Sequence, residues 1–220
     1  MRAHNERMRL RTMGACAIVG LAAAVALAPT AVRAQTEDDP LAGAVELGWV
    51  KGEADAPITV VEFTDVSCPY CATFHTGTRQ ALIDEFVEAG QVRWITLTYV
   101  SGLYPNSDAM TMGAECAGRQ EAYEPFLTEA YAARDRWISA TDPVAMAEAR
   151  RFAETLELDL DAFERCRSDA TVAERAMAVM ELARENGVRG TPTWFVDGFL
   201  VMGDLPLGYA RQFIASQLPG

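Results

Sequence analysis

Two cysteines two residues apart, Cys68-Pro69-Tyr70-Cys71, are the side chains in this sequence best suited to chemistry. A thiol pair at this spacing closes into a small disulfide ring and opens again, so it can exchange two electrons with another thiol pair. The attacking form is the thiolate, and its abundance is set by its surroundings. An apolar run, Ile58-Thr59-Val60-Val61-Glu62-Phe63, precedes the pair, and a helical pattern from Ala72 to about Ala89 follows it. A strand therefore delivers Cys68 to the start of a helix. Unpaired backbone N–H groups and the positive end of the helix dipole favour a thiolate there. Such a site brings a thiol pKa from about 8.5 into the range of roughly 3.5–7.5. Cys71, one helical turn on, is placed to close the ring and release a product.

Three further groups invite a chemical reading. Strand alternation puts Glu62 on the same face as Ile58 and Val60. A carboxylate there is either a buried proton acceptor for the Cys71 thiol or a strand-end residue reaching water. His75 is four residues after Cys71 and reads as a partly exposed helix residue or as a modulator of the thiols. Cys116 and Cys166 fall on apolar helix faces. They are either a structural disulfide, contributing roughly 3–5 kcal/mol, or two buried free thiols acting as small apolar groups. No zinc site is expected, because a second pair of ligands at typical spacing is missing.

The elements that position these groups follow in order. Val45 to Val50 reads as a short first strand, and Ile58 to Thr64 as a strand buried on both faces. The helix after Cys71 carries Phe74, Leu82 and Phe86 on one side, and Gly77-Thr78 marks a bend. Gly90 stops it, and Val92 to Val100 is the next strand. From Asn106 to Gly187 the pattern is helical with breaks and contains no strand, so it reads as an insertion. Asp142 caps one helix before Pro143, and Asp159 or Asp161 caps another. Val172, Ala176, Val179, Met180 and Ala183 form the apolar stripe of a third, which Gly187 ends. Gly190-Thr191-Pro192-Thr193 then leads into a strand, a hairpin turn at Asp197-Gly198, a return strand and a final helix from Pro206 to Leu218.

Composition bounds the compartment and the partners. Residues 1–34 read as a cleaved export signal: Arg2, Arg7, Arg9 and Arg11, then an apolar run from Met13 to Ala28, then Val32-Arg33-Ala34 before the cut. Residues 35–44 read as a flexible tail. The cut removes five arginines and one glutamate, leaving 14 basic against 30 acidic residues and a net charge of −16. That balance disfavours nucleic acid and anionic membrane surfaces. Cys16 leaves with the signal, and four cysteines remain in a compartment that permits disulfides.

A Cys-Pro-Tyr-Cys after a buried strand, a late Thr-Pro before a hairpin and a helical block between them resemble the DsbA-like branch of the thioredoxin superfamily. The likeness covers about residues 45–218. It is carried by Val61-Glu62-Phe63-Thr64-Asp65, Cys68-Pro69-Tyr70-Cys71, Phe163-Glu164-Arg165-Cys166 and Gly187-Val188-Arg189-Gly190-Thr191-Pro192-Thr193-Trp194-Phe195-Val196-Asp197-Gly198. The resemblance implies an α/β thioredoxin fold, a central mixed sheet flanked by helices, over 45–220, with a helical domain inserted at about 106–187. It implies a cis Thr191-Pro192 peptide facing Cys68, where Thr191 would pair with an extended substrate. Glu62 matches the family's buried acid, six residues before the first cysteine.

The expected activity is exported, periplasmic thiol–disulfide exchange through Cys68 and Cys71, without cofactor, most simply as an oxidase of folding proteins. A DsbB-like membrane partner would reoxidise the pair, and the chain would act as a monomer. Tyr70 departs from the histidine of the strongest oxidases in this group, which leaves two alternatives in the same class, a monomeric reductase or an isomerase kept reduced by a DsbD-like partner. A non-redox binding or chaperone module is the reading from another class.

Overall fold

β-Branched and aromatic side chains fill Ile58–Thr64, and this run forms the central strand β2, buried at all positions but Thr59. The computed structural model describes residues 41–219. The expected signal, 1–34, and residues 35–40 of the expected tail lie outside them. β2 pairs in parallel with β3 (Val92–Thr98) and antiparallel with β4 (Thr193–Val196). The edges are β1 (Trp49–Lys51), antiparallel to β3, and β5 (Phe199–Met202), antiparallel to β4. The strand order is β1-β3-β2-β4-β5.

A parallel β2–β3 pair needs a crossover. The helical stretch after the cysteines supplies it: α2 (Pro69–Phe74), a wide π-helical turn at His75–Arg79, α3 (Gln80–Leu82) and a second π turn at Ile83–Val87. With α10 (Leu207–Gln217), this stretch covers one sheet face through Phe74, Leu82, Phe86, Trp94, Trp194 and Ile214. The opposite face, Val61, Phe63, Ile95 and Phe195, packs under α1 (Ala44–Leu47) and α9 (Ala170–Glu185).

Between β3 and β4 the chain is helical: α4 (Ser107–Gly118), α5 (Tyr123–Ala132), α6 (Arg134–Trp137), α7 (Asp142–Thr155), α8 (Leu160–Arg167) and then α9. These helices build their own core around Phe126, Trp137, Phe152 and Phe163. Cys116 and Cys166 are bridged across it, joining α4 to α8 over a separation of 50 residues. Asp159 caps α8 by accepting from the Ala162 N–H at 2.9 Å. Gly187, at φ +70°, ends α9, with the Val188 N–H reaching back to the Ala183 carbonyl at 2.9 Å. The hairpin between β4 and β5 turns through Asp197 and Gly198, both at positive φ.

Four local expectations give way to the structure. Residues 45–50 are not one strand but α1 followed by the short β1. The chain turns at Gly48, where an added Cβ would lie 2.3 Å from Ile95, so the backbone runs too close to β3 for a side chain. The end of the expected flexible tail is packed, with Leu41 and Ala44 buried beside Val179 and Leu182. The α7 cap is Thr141, one residue before Asp142. Met180 points outward at 40% exposure, because α9 buries the narrower stripe Val172, Val179, Leu182 and Ala183.

Candidate active site

β2 ends in a buried turn, Asp65-Val66-Ser67, that aims Cys68 at the helix start. Asp65 is fully buried and has no ion pair among the described residues, so hydrogen bonds satisfy its carboxyl group. Its Oδ1 accepts from the Ser67 N–H at 2.8 Å and the Ser107 hydroxyl at 2.7 Å. Its Oδ2 accepts from the Ser101 N–H at 3.1 Å and hydroxyl at 2.6 Å. Arg134 clamps the Ser67 carbonyl with two N–H groups at 2.8 and 2.9 Å. Cys68 is then the helix N-cap in extended geometry, with Pro69 as the first helical residue.

The Thr191-Pro192 peptide is cis. Antiparallel pairing of β4 with β2 brings it beside the cysteines: Cys68 Sγ lies 3.3 Å from the Thr191 carbonyl oxygen. On another side, Tyr104 Oη is 3.6 Å from the same sulfur. Cys68 and Cys71 are unbridged and both buried. Hydrogen bonding from the Cys71 side chain, more than any other influence, holds the Cys68 thiol down to about 5. Burial opposes this, while Thr191, the Cys71 backbone and Tyr104 act with it. Burial pushes the Cys71 thiol up, and its neighbour Cys68 pushes it further. The pair is thus split by environment into one ionised and one protonated thiol at neutral pH.

Behind the cysteines lies a charge network absent from the sequence expectations. Arg79, on the wide turn, is 1% exposed. It donates from Nε to Glu62 Oε2 at 2.6 Å, from Nη2 to Thr96 at 2.9 Å, and with both Nη atoms to Glu124 at 2.6 and 2.9 Å. Trp94 Nε1 adds a bond to Glu62 Oε2 at 2.8 Å. Glu62 is therefore neither a solvent-reaching residue nor an unpaired acid; it shares a guanidinium with Glu124 of α5. Burial opposes ionisation of Glu124, but Arg79 outweighs it and holds that carboxyl below the usual range.

His75 departs from its expected exposure. It is 6% exposed, hydrogen-bonded through Nε2 to the Thr128 hydroxyl at 3.1 Å and packed against the Tyr131 ring. Burial, then Arg79, pulls its imidazole down to about 4. The native state thus stays neutral where the unfolded chain takes up a proton, near pH 6.5. That contribution is complete above pH 6.5 and lost as pH falls toward 4. His75→Gln is expected to reduce the loss of stability between pH 7 and 4.5 by about 2–3 kcal/mol. Urea melts of both proteins at both pH values check this; equal losses would refute it.

Among the expected site residues, Cys68, Cys71, Thr191 and Pro192 converge. Glu62 is held in the Arg79 network, and the Cys116–Cys166 bond staples the insertion. Sequence reasoning missed Asp65, Arg79 and Tyr104. Asp65 had one signal, a carboxylate at the end of an apolar strand; Tyr104 had none. No group of three or more His, Cys, Asp or Glu among the described residues is placed to hold a metal.

A thioredoxin family model matches residues 45–214. The chain is similar to a Na(+)/H(+) antiporter NhaA of Salinispora tropica, 34% identical over 149 residues, which cover 68% of this chain and 21% of that protein. It spans about a fifth of the length of that relative. It is also similar to disulfide bond formation protein D of Bacillus subtilis, 22% identical over 181 residues and covering 78% of this chain and 77% of that one. The solved structure of alpha-DsbA1 from Wolbachia pipientis superposes with a TM-score of 0.69 at 21% identity, over 77% of this chain and 90% of that one. With its mixed sheet, helical insertion, paired cysteines and cis Thr191-Pro192, the chain belongs to the thioredoxin family.

Proposed function

We propose that the protein is an exported thiol:disulfide oxidoreductase that forms disulfides in folding proteins through Cys68 and Cys71. The observation that carries this reading is the split pair: a Cys68 thiol held down to about 5, with the Thr191 carbonyl 3.3 Å from its sulfur. A stabilised thiolate favours the reduced enzyme and so makes the oxidised one a better oxidant. Relatives named disulfide bond formation protein D and protein-disulfide oxidoreductase support the same class. The antiporter relatives are much longer proteins, and ion transport is not proposed for this chain.

A substrate thiolate attacks Cys68 Sγ of the oxidised enzyme, and the Cys68–Cys71 bond breaks. Cys71 leaves as a thiolate and takes up a proton. A second substrate thiolate then attacks the substrate sulfur of the mixed disulfide and releases the Cys68 thiolate. The substrate dithiol is oxidised by two electrons and the enzyme pair is reduced by two. Thr191 would pair with the extended substrate backbone beside Cys68. Glu62 is proposed as the proton acceptor for Cys71 when the Cys68–Cys71 bond is re-formed; its Oε2 is bonded to Arg79 and Trp94, which leaves Oε1 for the proton. A quinone-linked membrane partner of the DsbB type would restore the disulfide.

The test is the redox state of Cys68 and Cys71 in the intact cell, read by mass-tagging free thiols. An oxidised pair supports the oxidase. A reduced pair beside a bridged Cys116–Cys166 would replace it with a reductase or isomerase served by a DsbD-like partner.

A further inference from the structure

Exchange needs the Cys68 sulfur in the open, yet Cys68 is 0% exposed. Besides Cys71, two groups among the described residues contact its sulfur. One is the Thr191 carbonyl, fixed by the cis peptide and by β4. The other is the phenol of Tyr104, a half-buried residue on the connection from β3 to α4.

That connection is built as a strap. Its first anchor is Ser101, whose N–H and hydroxyl both donate to Asp65 Oδ2. Its second is Ser107, whose hydroxyl donates to Asp65 Oδ1 at 2.7 Å. Next to it Asn106, at φ +58°, donates its side-chain amide to the Trp137 carbonyl at 2.8 Å and the Ala140 carbonyl at 3.1 Å. Asp65 also accepts from the Ser67 N–H, one residue before Cys68. Both ends of the strap and the turn carrying the nucleophile are therefore tied to one carboxylate. The middle is held more loosely. Gly102 takes φ +70°, Leu103 is 66% exposed, and its N–H donates to the Ser101 hydroxyl at 3.2 Å. Tyr104 is thus held over the sulfur by firm ends and a pliant centre.

We propose that Tyr104 is a catalytic residue of the exchange: its O–H donates to the Cys68 thiolate, and its ring swings aside on the strap to admit the substrate sulfur. The proposal rests on the reading of Cys68 and Cys71 as the redox pair. No proton is transferred; the phenol stabilises the leaving and resting thiolate by hydrogen bonding alone. The hydrogen bond with Cys68, followed by burial and the thiolate charge, pushes the phenol up to about 12, so it remains a donor at any physiological pH. The hydroxyl and the ring then have separable effects. The hydroxyl sets how stable the thiolate is, and the ring sets how easily it is reached.

The test uses the reduced full-length protein and two variants, Tyr104→Phe and Tyr104→Ala. Thiolate absorbance against pH reads the Cys68 pKa. The rate of alkylation by a bulky maleimide at pH 8, where Cys68 is ionised in every variant, reads access. Tyr104→Phe is expected to raise the Cys68 pKa by about one unit, cutting the thiolate fraction at pH 5 several-fold, with the alkylation rate unchanged within about twofold. Tyr104→Ala is expected to give the same pKa shift and to speed alkylation by about tenfold. An unmoved Cys68 pKa in Tyr104→Phe, or an unchanged alkylation rate in Tyr104→Ala, overturns the proposal while leaving the redox reading intact. A wild-type Cys68 that titrates near 9 overturns both.

Discussion

Cys68→Ser is expected to reduce thiol–disulfide exchange by about 10³-fold or more, to the uncatalysed background. A serine hydroxyl neither ionises near neutral pH nor forms a bond to sulfur. Cys71→Ser is expected to behave differently. It keeps Cys68, with the serine hydroxyl in place of the Cys71 thiol as hydrogen-bond donor, but cannot close the ring, so substrate proteins accumulate on Cys68 as mixed disulfides. Oxidation of a dithiol peptide measures the first effect, and non-reducing electrophoresis of Cys71→Ser measures the second. Exchange surviving in Cys68→Ser would remove the chemical reading of the site. The pH dependence follows from the Cys68 thiol, held down to about 5 chiefly by Cys71. The reduced enzyme's attack on an added disulfide should be flat from pH 8 to 6 and fall tenfold per unit below about 5, as Cys68 takes up its proton.

Arg79→Met should be the most damaging single change outside the cysteines, costing about 3–5 kcal/mol of unfolding free energy. The guanidinium is buried and is the shared counter-charge of Glu62 on β2 and Glu124 on α5. Removing it leaves Glu62 buried with an uncompensated charge and cuts one of the polar links between the sheet and the inserted helices. Arg79→Lys should recover part of the loss, because one ammonium cannot reproduce the two-pronged contact with Glu124. The triple variant Glu62→Gln, Arg79→Met, Glu124→Gln should also recover much of it, since the penalty lies in unpaired charge rather than in lost attraction. Urea unfolding of the three proteins measures each. A cost under 1 kcal/mol for Arg79→Met would show that the network holds nothing together.

The parts legible in the sequence were those with local signatures. Cys68 and Cys71 announce themselves by spacing, and the Asp197-Gly198 hairpin by its backbone preference, whereas the cis Thr191-Pro192 followed only from the family resemblance. The β2 run reads as a buried strand because every residue in it except Glu62 is β-branched or aromatic. What escaped depended on contacts distant in sequence. Tyr104 owes its position to Asp65, a carboxylate 39 residues earlier, and nothing in Ser101–Asn106 encodes that meeting. Arg79 and His75 escaped for a different reason. Helical reading assumes 3.6 residues per turn, and the π turn at His75–Arg79 breaks that period. Phe74 and Arg79, five apart, both come to be buried, whereas a regular helix turns positions five apart away from each other.

The same wide turn has a bearing on how relatives of this chain are lined up. A π turn is, in effect, one residue spliced into a helix without lengthening it by a turn. A relative lacking that residue would have an ordinary helix there, and its sequence would need a gap somewhere within 75–79 to be matched correctly. Placed elsewhere, the gap would set Arg79 against a neighbour rotated by about 100° around the helix axis. The guanidinium would then look like a variable surface position when it is the counter-charge at the centre of the molecule. Deleting Gly77 makes the point in the laboratory. It should straighten the helix while forcing either the Cys68–Phe74 end or the Leu82–Phe86 end off its face of the sheet.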